Sequence, residues 1–331
     1  MRTIHLIYPP HLGMQVEHTA FEIVRYFNTL HAAANSLHIH NFRYASASPD
    51  IVGLVDTAEQ MRLSLSTDPW PPKESEALAD LYAKRVVKAV SSRLSDDNYI
   101  IAADEALLNR LRVHVKNANY LLCNNSQKTD LISICPSYTA MATIEADREY
   151  RFFDSVITYN STISTMTHTD VVVMISDGTK PHHNKLAEEL MQKSGFGIRI
   201  FDLNNLQDCK SYEHAIGTAW CLLLLDTTQK FGVHIIDSLT AGTPVVAADG
   251  PLTAEFITHN EDGYRCRTFR EFVDALTNVS NLSRADISKR AKAKYHEART
   301  ADQLSGFLDQ VSTTWSTGFY VDKVSNRSRY Y

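Results

Sequence analysis

A short stretch in the second half of the chain holds the residues best suited to phosphate chemistry. Phe231-Gly232-Val233 opens a predicted helix directly after an apolar strand, and Asp237 lies one turn inside that helix. Gly232 permits a ligand to approach the backbone closely, and the free N–H groups and dipole at such a helix start favour a phosphate. Any connection from strand to helix in a doubly wound domain has the same pattern, so a purely structural interpretation stays open.

The motifs that follow keep a defined order along about forty residues. They are Phe231-Gly232, Ala241-Gly242-Thr243-Pro244-Val245-Val246, Glu255-Phe256-Ile257 and Asp262-Gly263-Tyr264. This order resembles the signature of GT-B glycosyltransferases related to family 4, which are retaining enzymes that use nucleotide-sugar donors. The resemblance implies an α/β fold of two Rossmann-like, doubly wound domains that face each other across a cleft. It also implies transfer of a sugar from a nucleotide-diphosphate sugar, with a UDP-sugar favoured, to an acceptor hydroxyl, without a metal or other cofactor.

The resemblance assigns roles by position, although two acidic positions depart from the family. Gln229 stands where the family has its first Glu, and we expect it to hold hydroxyls of the donor sugar without a charge. Asp237 stands at the second Glu and is expected to bind the ribose. Lys180, with the backbone N–H groups of Gly232 and Val233, is expected to stabilise the leaving diphosphate. The other predicted donor contacts are Gly13, Met14, Leu203 and Phe231.

The N-terminal loop shows a weaker resemblance. Residues 8–17, Tyr-Pro-Pro-His-Leu-Gly-Met-Gln-Val-Glu, resemble the family's Pro-Pro-x-x-Gly-Gly-x-Glu loop, with Met14 at the second glycine. The resemblance implies that Gly13 approaches the donor phosphate and that His11, a catalytic candidate, meets the acceptor. Asn124 stands near the place of the family's acceptor-side histidine. Asp104 follows another predicted strand, where its carboxylate either faces the acceptor or caps the next helix.

Apolar runs of strand length, separated by amphipathic stretches, supply the elements that must position these residues. Because the predicted strands lack polar alternation, they suit parallel sheets covered by helices on both faces. The pattern restarts near residue 170, which predicts a first domain over 1–168 and a second over 169–311. A Ser/Thr-rich helix is expected just before that boundary, ending at about His168. The tail, residues 312–331, either packs back on the first domain or is disordered.

Composition limits the class of protein. A length of 331 residues suits two domains, and a net charge of −5 excludes a polycation but leaves room for one basic groove. The five cysteines are odd in number, widely spaced and without a CxxC, which indicates reduced thiols in a cytoplasmic protein. Met1 to Tyr8 does not read as a signal peptide. The longest apolar run, Ala219 to Leu225, is too short to span a membrane.

The remaining charged and metal-binding side chains leave several alternatives. The histidine pairs at 38/40 and 182/183 have no carboxylate or cysteine at ligand spacing, so we predict no metal site. The basic stretch from Arg284 to Arg299 is either a solvated helix face or a contact for an anionic acceptor, such as DNA with hydroxymethylated bases from a phage. Two other functions stay open: a GT-B-fold sugar-nucleotide epimerase, and a pseudoenzyme that only binds.

Overall fold

Two β-sheets with helices packed against them form the protein. The computed structural model describes residues 2–8, 19–48, 51–54, 75–123, 131–147, 155–176, 181–202, 206–227 and 231–316. The first sheet is built from the part of the chain before residue 157, and the second from the part after residue 170. The predicted boundary at residues 168 and 169 falls in the segment that connects the two sheets.

The first sheet has seven strands in the order β3-β2-β1-β4-β5-β6-β7. Its elements are β1 (Arg2–Ile7), α1 (Thr19–Ser36), β2 (His40–Ser48), β3 (Ile51–Leu54), α2 (Ser75–Ser91), β4 (Asp97–Ala102), α3 (Glu105–His114), β5 (Asn119–Cys123), β6 (Ile132–Cys135), α4 (Tyr138–Asp147) and β7 (Ser155–Val156). All neighbouring strands are parallel except β3, which runs antiparallel to β2 at the edge. Strands β1 and β4 are buried along their last five residues, as expected of central strands covered on both faces.

The second sheet has five parallel strands in the order β12-β11-β10-β8-β9. Its elements are β8 (Val171–Ser176), α5 (Pro181–Ser194), β9 (Gly197–Asp202), α6 (Leu206–Thr218), β10 (Leu222–Leu224), α7 (Val233–Thr240), β11 (Val245–Ala248), α8 (Pro251–Phe256), β12 (Gly263–Cys266), α9 (Phe269–Asn278), α10 (Arg284–Lys294) and α11 (Glu297–Ser316). A short 3-10 turn, Val279–Asn281, separates α9 from α10. The predicted α/β fold with two doubly wound domains is therefore confirmed.

The last helix, α11, returns to the first domain and packs along α1. Arg2 binds Asp309 at 2.6 Å, and the side chains of Thr300 and Gln303 hydrogen-bond to Thr158. Residues 312–316 of the predicted tail belong to this helix, and residues 317–331 lie outside the described part of the chain. The helix therefore ties the end of the second domain to the first.

The connecting segment differs from the prediction. No helix forms between residues 157 and 169, so the predicted Ser/Thr-rich helix is wrong. Tyr159 and Ser161 instead turn their hydroxyls onto Asp237 of the second domain, and Thr169 N–H donates to the carbonyl of Thr218. These contacts across the connection replace the local bonds of a helix. Strand β6 and helix α4 were not predicted at all.

Cys123, Cys135, Cys221 and Cys266 are buried and not in disulfides, and Cys221 is a core residue as predicted. Among the helices that the structure describes, none is both long and apolar enough to cross a lipid bilayer.

Candidate active site

The strand orders of the two sheets define where a ligand can bind. In an open doubly wound sheet, ligands bind outside the carboxyl ends of the strands where the order reverses. That point lies between β1 and β4 in the first sheet and between β8 and β10 in the second. Helices α1 and α7, the first described helices after β1 and β10, contact each other. The two reversal points therefore face each other across the junction between the domains.

Gly232 shapes the start of α7. Its φ of 68° lies in the left-handed region, which glycine adopts without the strain that other residues incur. A Cβ atom added here would come within 2.6 Å of Cε2 of the Phe256 ring. Backbone conformation and packing thus both require glycine at the position where the helix N–H groups become available to an anion.

Phe231 and Val233, on either side of Gly232, are fully buried. The ring of Phe231 packs edge-on against Tyr26 of α1, with 6.2 Å between the ring centroids. Both side chains therefore belong to the core at the domain junction. Any contact of these two positions with a donor would come from the backbone.

Asp237 lies at the centre of a buried polar cluster. The Arg25 guanidinium of α1 donates to Oδ1 at 2.9 Å and to Oδ2 at 3.1 Å. Tyr159 donates to Oδ1 at 2.9 Å, Ser161 also donates to Oδ1, and Tyr212 donates to Oδ2 at 3.0 Å. The side chain of Asp237 is 0% exposed. Because a carboxylate offers only about four lone-pair sites, these donors saturate it, and in this structure it has no free position for a ribose hydroxyl. The predicted ribose role remains a prediction.

Arg25 is held as firmly as the carboxylate that it binds. Its Nε donates to the hydroxyl of Tyr159 at 3.1 Å, and its Nη1 lies 2.6 Å from Glu213 Oε1. Burial alone lowers the pKa of Arg25, but the charge of Asp237 and the other neighbouring groups hold that pKa well above its ordinary value. The guanidinium therefore stays charged inside the junction.

A second pair of side chains joins the same two helices. His234 Nε2 lies 3.3 Å from Glu22 Oε1, and both side chains are 4% exposed. On its other side, His234 Nδ1 lies 2.9 Å from the hydroxyl of Tyr212. Burial raises the pKa of Glu22 to about 8, and the charge of nearby Asp226 adds to that shift. Glu22 and Arg25 are three residues apart on α1, as are His234 and Asp237 on α7.

Glu255 makes a further contact between the domains. Its carboxylate accepts hydrogen bonds from the backbone N–H groups of Tyr138 and Thr139, each at 2.9 Å, and from the Thr139 hydroxyl at 2.7 Å. The second domain thus caps the N-terminus of α4 in the first domain, where a negative charge is stabilising.

The other predicted site residues fall into two groups. Asp104 caps α3, because its side chain accepts from the Leu107 N–H at 3.1 Å, so the capping interpretation is confirmed and its acceptor role stays a prediction. Seven candidates lie outside the described residues: His11, Gly13, Met14, Asn124, Lys180, Leu203 and Gln229. Lys180 and Gln229 nevertheless belong to the segments that follow β8 and β10, the two strands at the reversal point.

The basic stretch is partly committed to packing. Arg284 donates to the backbone carbonyls of Ala219 and Trp220, and Arg290 binds Asp262 at 2.7 Å. The side chains of Lys289 and Lys292 are exposed. Within the described ranges, no group of three or more His, Cys, Asp or Glu side chains is arranged to hold a metal, and the expectation of a metal-free site remains untested.

Sequence reasoning missed the partners of Asp237. Arg25 and Glu22 interrupt an otherwise apolar face of α1, which also carries Phe21 and Val24. Two opposite charges three positions apart on an apolar helix face were the available signal, since such groups must be paired when they are buried. Nothing in their spacing, however, indicated that the partners lie on the second domain.

Comparisons with known proteins agree with this architecture. Residues 151–294 match the family model of the glycosyl transferases group 1. No curated protein is similar enough in sequence to count as a match. Sucrose-phosphate synthase from Thermosynechococcus elongatus is similar in structure, with a TM-score of 0.71 and 11% identity, over 95% of this chain and 100% of that one.

Two further solved structures show the same fold. HepE of Anabaena, solved in complex with UDP and glucose, gives a TM-score of 0.58 at 12% identity, over 93% of this chain and 99% of that one. A glycosyltransferase involved in avilamycin A biosynthesis gives a TM-score of 0.57 at 9% identity, over 93% of this chain and 97% of that one.

The two facing doubly wound domains are therefore those of the GT-B class. Residues 151–294 are similar to the glycosyl transferases group 1, and the protein is a glycosyltransferase, as the sequence predicted.

Proposed function

We propose that the protein transfers a sugar from a UDP-sugar to an acceptor hydroxyl, with retention of the anomeric configuration. The observation that carries this proposal is the reversal point of the second sheet. In the sequence, Lys180 and Gln229 fall in the segments that follow β8 and β10, and Gly232, at the start of α7, comes three residues after Gln229. Because a ligand of such a sheet binds where the strand order reverses, we expect this cation, this polar side chain and the helix N-terminus to receive a diphosphate that carries a sugar.

In this proposal the backbone of the second domain stabilises the leaving group. Negative charge develops on the diphosphate as the bond to the sugar breaks, and the N–H groups at the start of α7 and the Lys180 ammonium offset that charge. Gln229 hydrogen-bonds to hydroxyls of the sugar. The acceptor hydroxyl attacks on the face that the diphosphate leaves, and the diphosphate oxygen takes its proton, so no protein nucleophile is needed.

The acceptor enters from the first domain, past the loop that contains His11 and Gly13. DNA with hydroxymethylated bases is our proposed acceptor, supported by the exposed Lys289 and Lys292 of α10. Because Arg284 and Arg290 are engaged in packing, the cationic surface available to DNA is smaller than the sequence alone indicates. We place the reaction in the cytoplasm because the described cysteines are buried and not in disulfides.

Donor binding is tested first, by calorimetric titration with UDP and GDP in the presence of EDTA. UDP binding without added metal supports the donor site. If neither nucleotide binds, the proposal is wrong. Lys180→Ala is expected to weaken UDP binding by about tenfold, the loss of one charge-assisted hydrogen bond. Lys193→Ala, at the far end of α5, is the matched control and is expected to bind UDP as the wild type does.

Turnover then separates the alternative functions. Incubation with UDP-sugars and an acceptor panel that includes hydroxymethylated DNA is followed by mass spectrometry of the products and by NMR of the new anomeric centre. A glycosylated acceptor with retained configuration supports the proposal. A changed sugar on UDP indicates an epimerase, and binding without turnover indicates a pseudoenzyme. A mobility-shift assay over a salt series tests DNA, because phosphate contacts weaken steeply with salt.

A further inference from the structure

The contact between α1 and α7 is built as two opposed pairs of polar side chains. Glu22 faces His234, and one turn further on Arg25 faces Asp237. The hydroxyl of Tyr212 lies between the pairs, 2.9 Å from His234 Nδ1 and 3.0 Å from Asp237 Oδ2. Residues at i and i+3 share one face of a helix, so the two helices meet along a single polar seam inside an apolar surrounding.

The hydrogen positions in this seam follow from the donors present. Tyr212 has one hydroxyl proton, and the ionised Asp237 can only accept, so that proton points to Oδ2. The Tyr212 oxygen then accepts from His234 Nδ1, which leaves Nε2 to face Glu22. The Nε2 atom stands 3.3 Å from Glu22 Oε1, an oxygen that makes no hydrogen bond within the described residues.

The seam joins three parts of the chain. Glu22 and Arg25 belong to the first domain, Tyr159 and Ser161 to the connecting segment, and the remaining members to the second domain. Freeing Asp237 for a ribose would leave Arg25 with Glu213, whose side chain is 45% exposed, in place of a fully buried carboxylate partner. Loss of a buried partner is more unfavourable than loss of a surface pair. Ribose hydroxyls are neutral donors and cannot replace a guanidinium.

We propose that Asp237 is a positioning residue that, with Arg25, joins the two domains at a set orientation, and that it does not bind the ribose of the donor. The chain thus departs from the role that its resemblance assigns to this position. The seam holds the two reversal points face to face, and other groups at the crevice hold the ribose. The part of this proposal that concerns ribose rests on the proposed function.

The nucleotide arm of the test compares UDP with 2′-deoxy-UDP on the full-length wild type and on Asp237→Asn. If Asp237 positions the domains, the ratio of the two dissociation constants stays within about twofold of the wild-type ratio. If Asp237 binds ribose, the wild-type preference for UDP collapses in the variant, and the proposal is overturned. If the wild type binds no nucleotide, the proposed function fails, and the arm below decides on the junction alone.

The structural arm needs no ligand. Arg25→Gln, Asp237→Asn and the double variant are compared by urea unfolding and by small-angle scattering. The double variant is expected to lose less stability than the two single variants together, since either single change already breaks the pair. The radius of gyration is expected to rise in the single variants and in the double variant. Additive losses with unchanged scattering overturn the proposal.

Two milder variants and one control keep the test decisive if the single variants fold poorly. Tyr159→Phe removes one donor to Asp237 and leaves both charges, and Arg25→Lys retains the positive charge. Both are expected to give a smaller change in scattering than Arg25→Gln, and no rescue by Lys would contradict the role of the charge. Arg290→Gln breaks a pair with Asp262 inside the second domain, and is expected to lower stability without altering scattering.

Discussion

Gly232→Ala tests the most tightly specified position of the candidate site. The φ of 68° at Gly232 places it in the left-handed region, where an L-residue costs roughly 1–2 kcal/mol. The added Cβ would also stand 2.6 Å from Cε2 and 3.0 Å from Cδ2 of Phe256. That ring is 5% exposed and packs against Tyr295, so it has little room to retreat.

The cost of the backbone conformation and the cost of the contact with Phe256 add together. Overpacking of a well-packed core typically costs about 1–3 kcal/mol. Together with the backbone cost, we expect Gly232→Ala to lower the free energy of unfolding by roughly 2–5 kcal/mol. Because α7 would begin in a shifted position, we also expect UDP to bind more weakly.

The measurement is urea unfolding followed by fluorescence, with Trp220 of the second domain among the reporters. Gly195→Ala is the matched control, because Gly195 has a φ of 77° and a Cβ there would meet no atom within 4 Å. It isolates the backbone contribution, about 1–2 kcal/mol. A second control, Gly306→Ala inside α11, has neither strain nor clash and is expected to lose nothing.

The reasoning is refuted if Gly232→Ala loses no more stability than Gly195→Ala. That result would show that Phe256 yields to the new methyl group. Weakened UDP binding in Gly195→Ala as well would show that the nucleotide effect does not arise at the start of α7.

Three further predictions concern two carboxylates at the domain junction and one helix cap. Burial raises the pKa of Glu22 from 4.5 to about 8, so between these values the folded state keeps a proton that the unfolded state has lost. The free energy of unfolding of the wild type should therefore fall, relative to that of Glu22→Gln, as pH rises through this window. Urea midpoints of the two proteins that change equally with pH would contradict this prediction. Glu255→Gln should speed amide exchange at Thr139, because charge-assisted bonds worth about 1.5–3 kcal/mol weaken; protection like that of the wild type would argue against the contact. Asp104→Ala should lower α3 stability by about 1 kcal/mol without changing UDP affinity, whereas Asp104→Asn should retain the cap.

Local sequence signals were sufficient to predict most strands and helices of the second domain. The apolar run before Asp226 predicted β10, and Gly232 and Gly242 bracketed α7, where both glycines indeed have positive φ. Such signals depend on neighbours in sequence, so they survive without knowledge of the tertiary structure. The prediction of a helix in the connecting segment failed because the structure there depends on distant residues: Ser161 bonds to a residue 76 positions away.

The sequence by itself determined the class of protein and, apart from β6, α4 and the connecting segment, the order of its strands and helices. The reason is that apolar periodicity and the positions of glycines are signals that extend over only a few residues. It also indicated which segments follow the strands at the two reversal points. Only the tertiary structure decided what surrounds Asp237. Its partners Arg25, Tyr159 and Tyr212 are 212, 78 and 25 positions away, and no local pattern relates them. Burial then makes the pairing obligatory, since a buried carboxylate must be satisfied by whichever donors the fold brings to it.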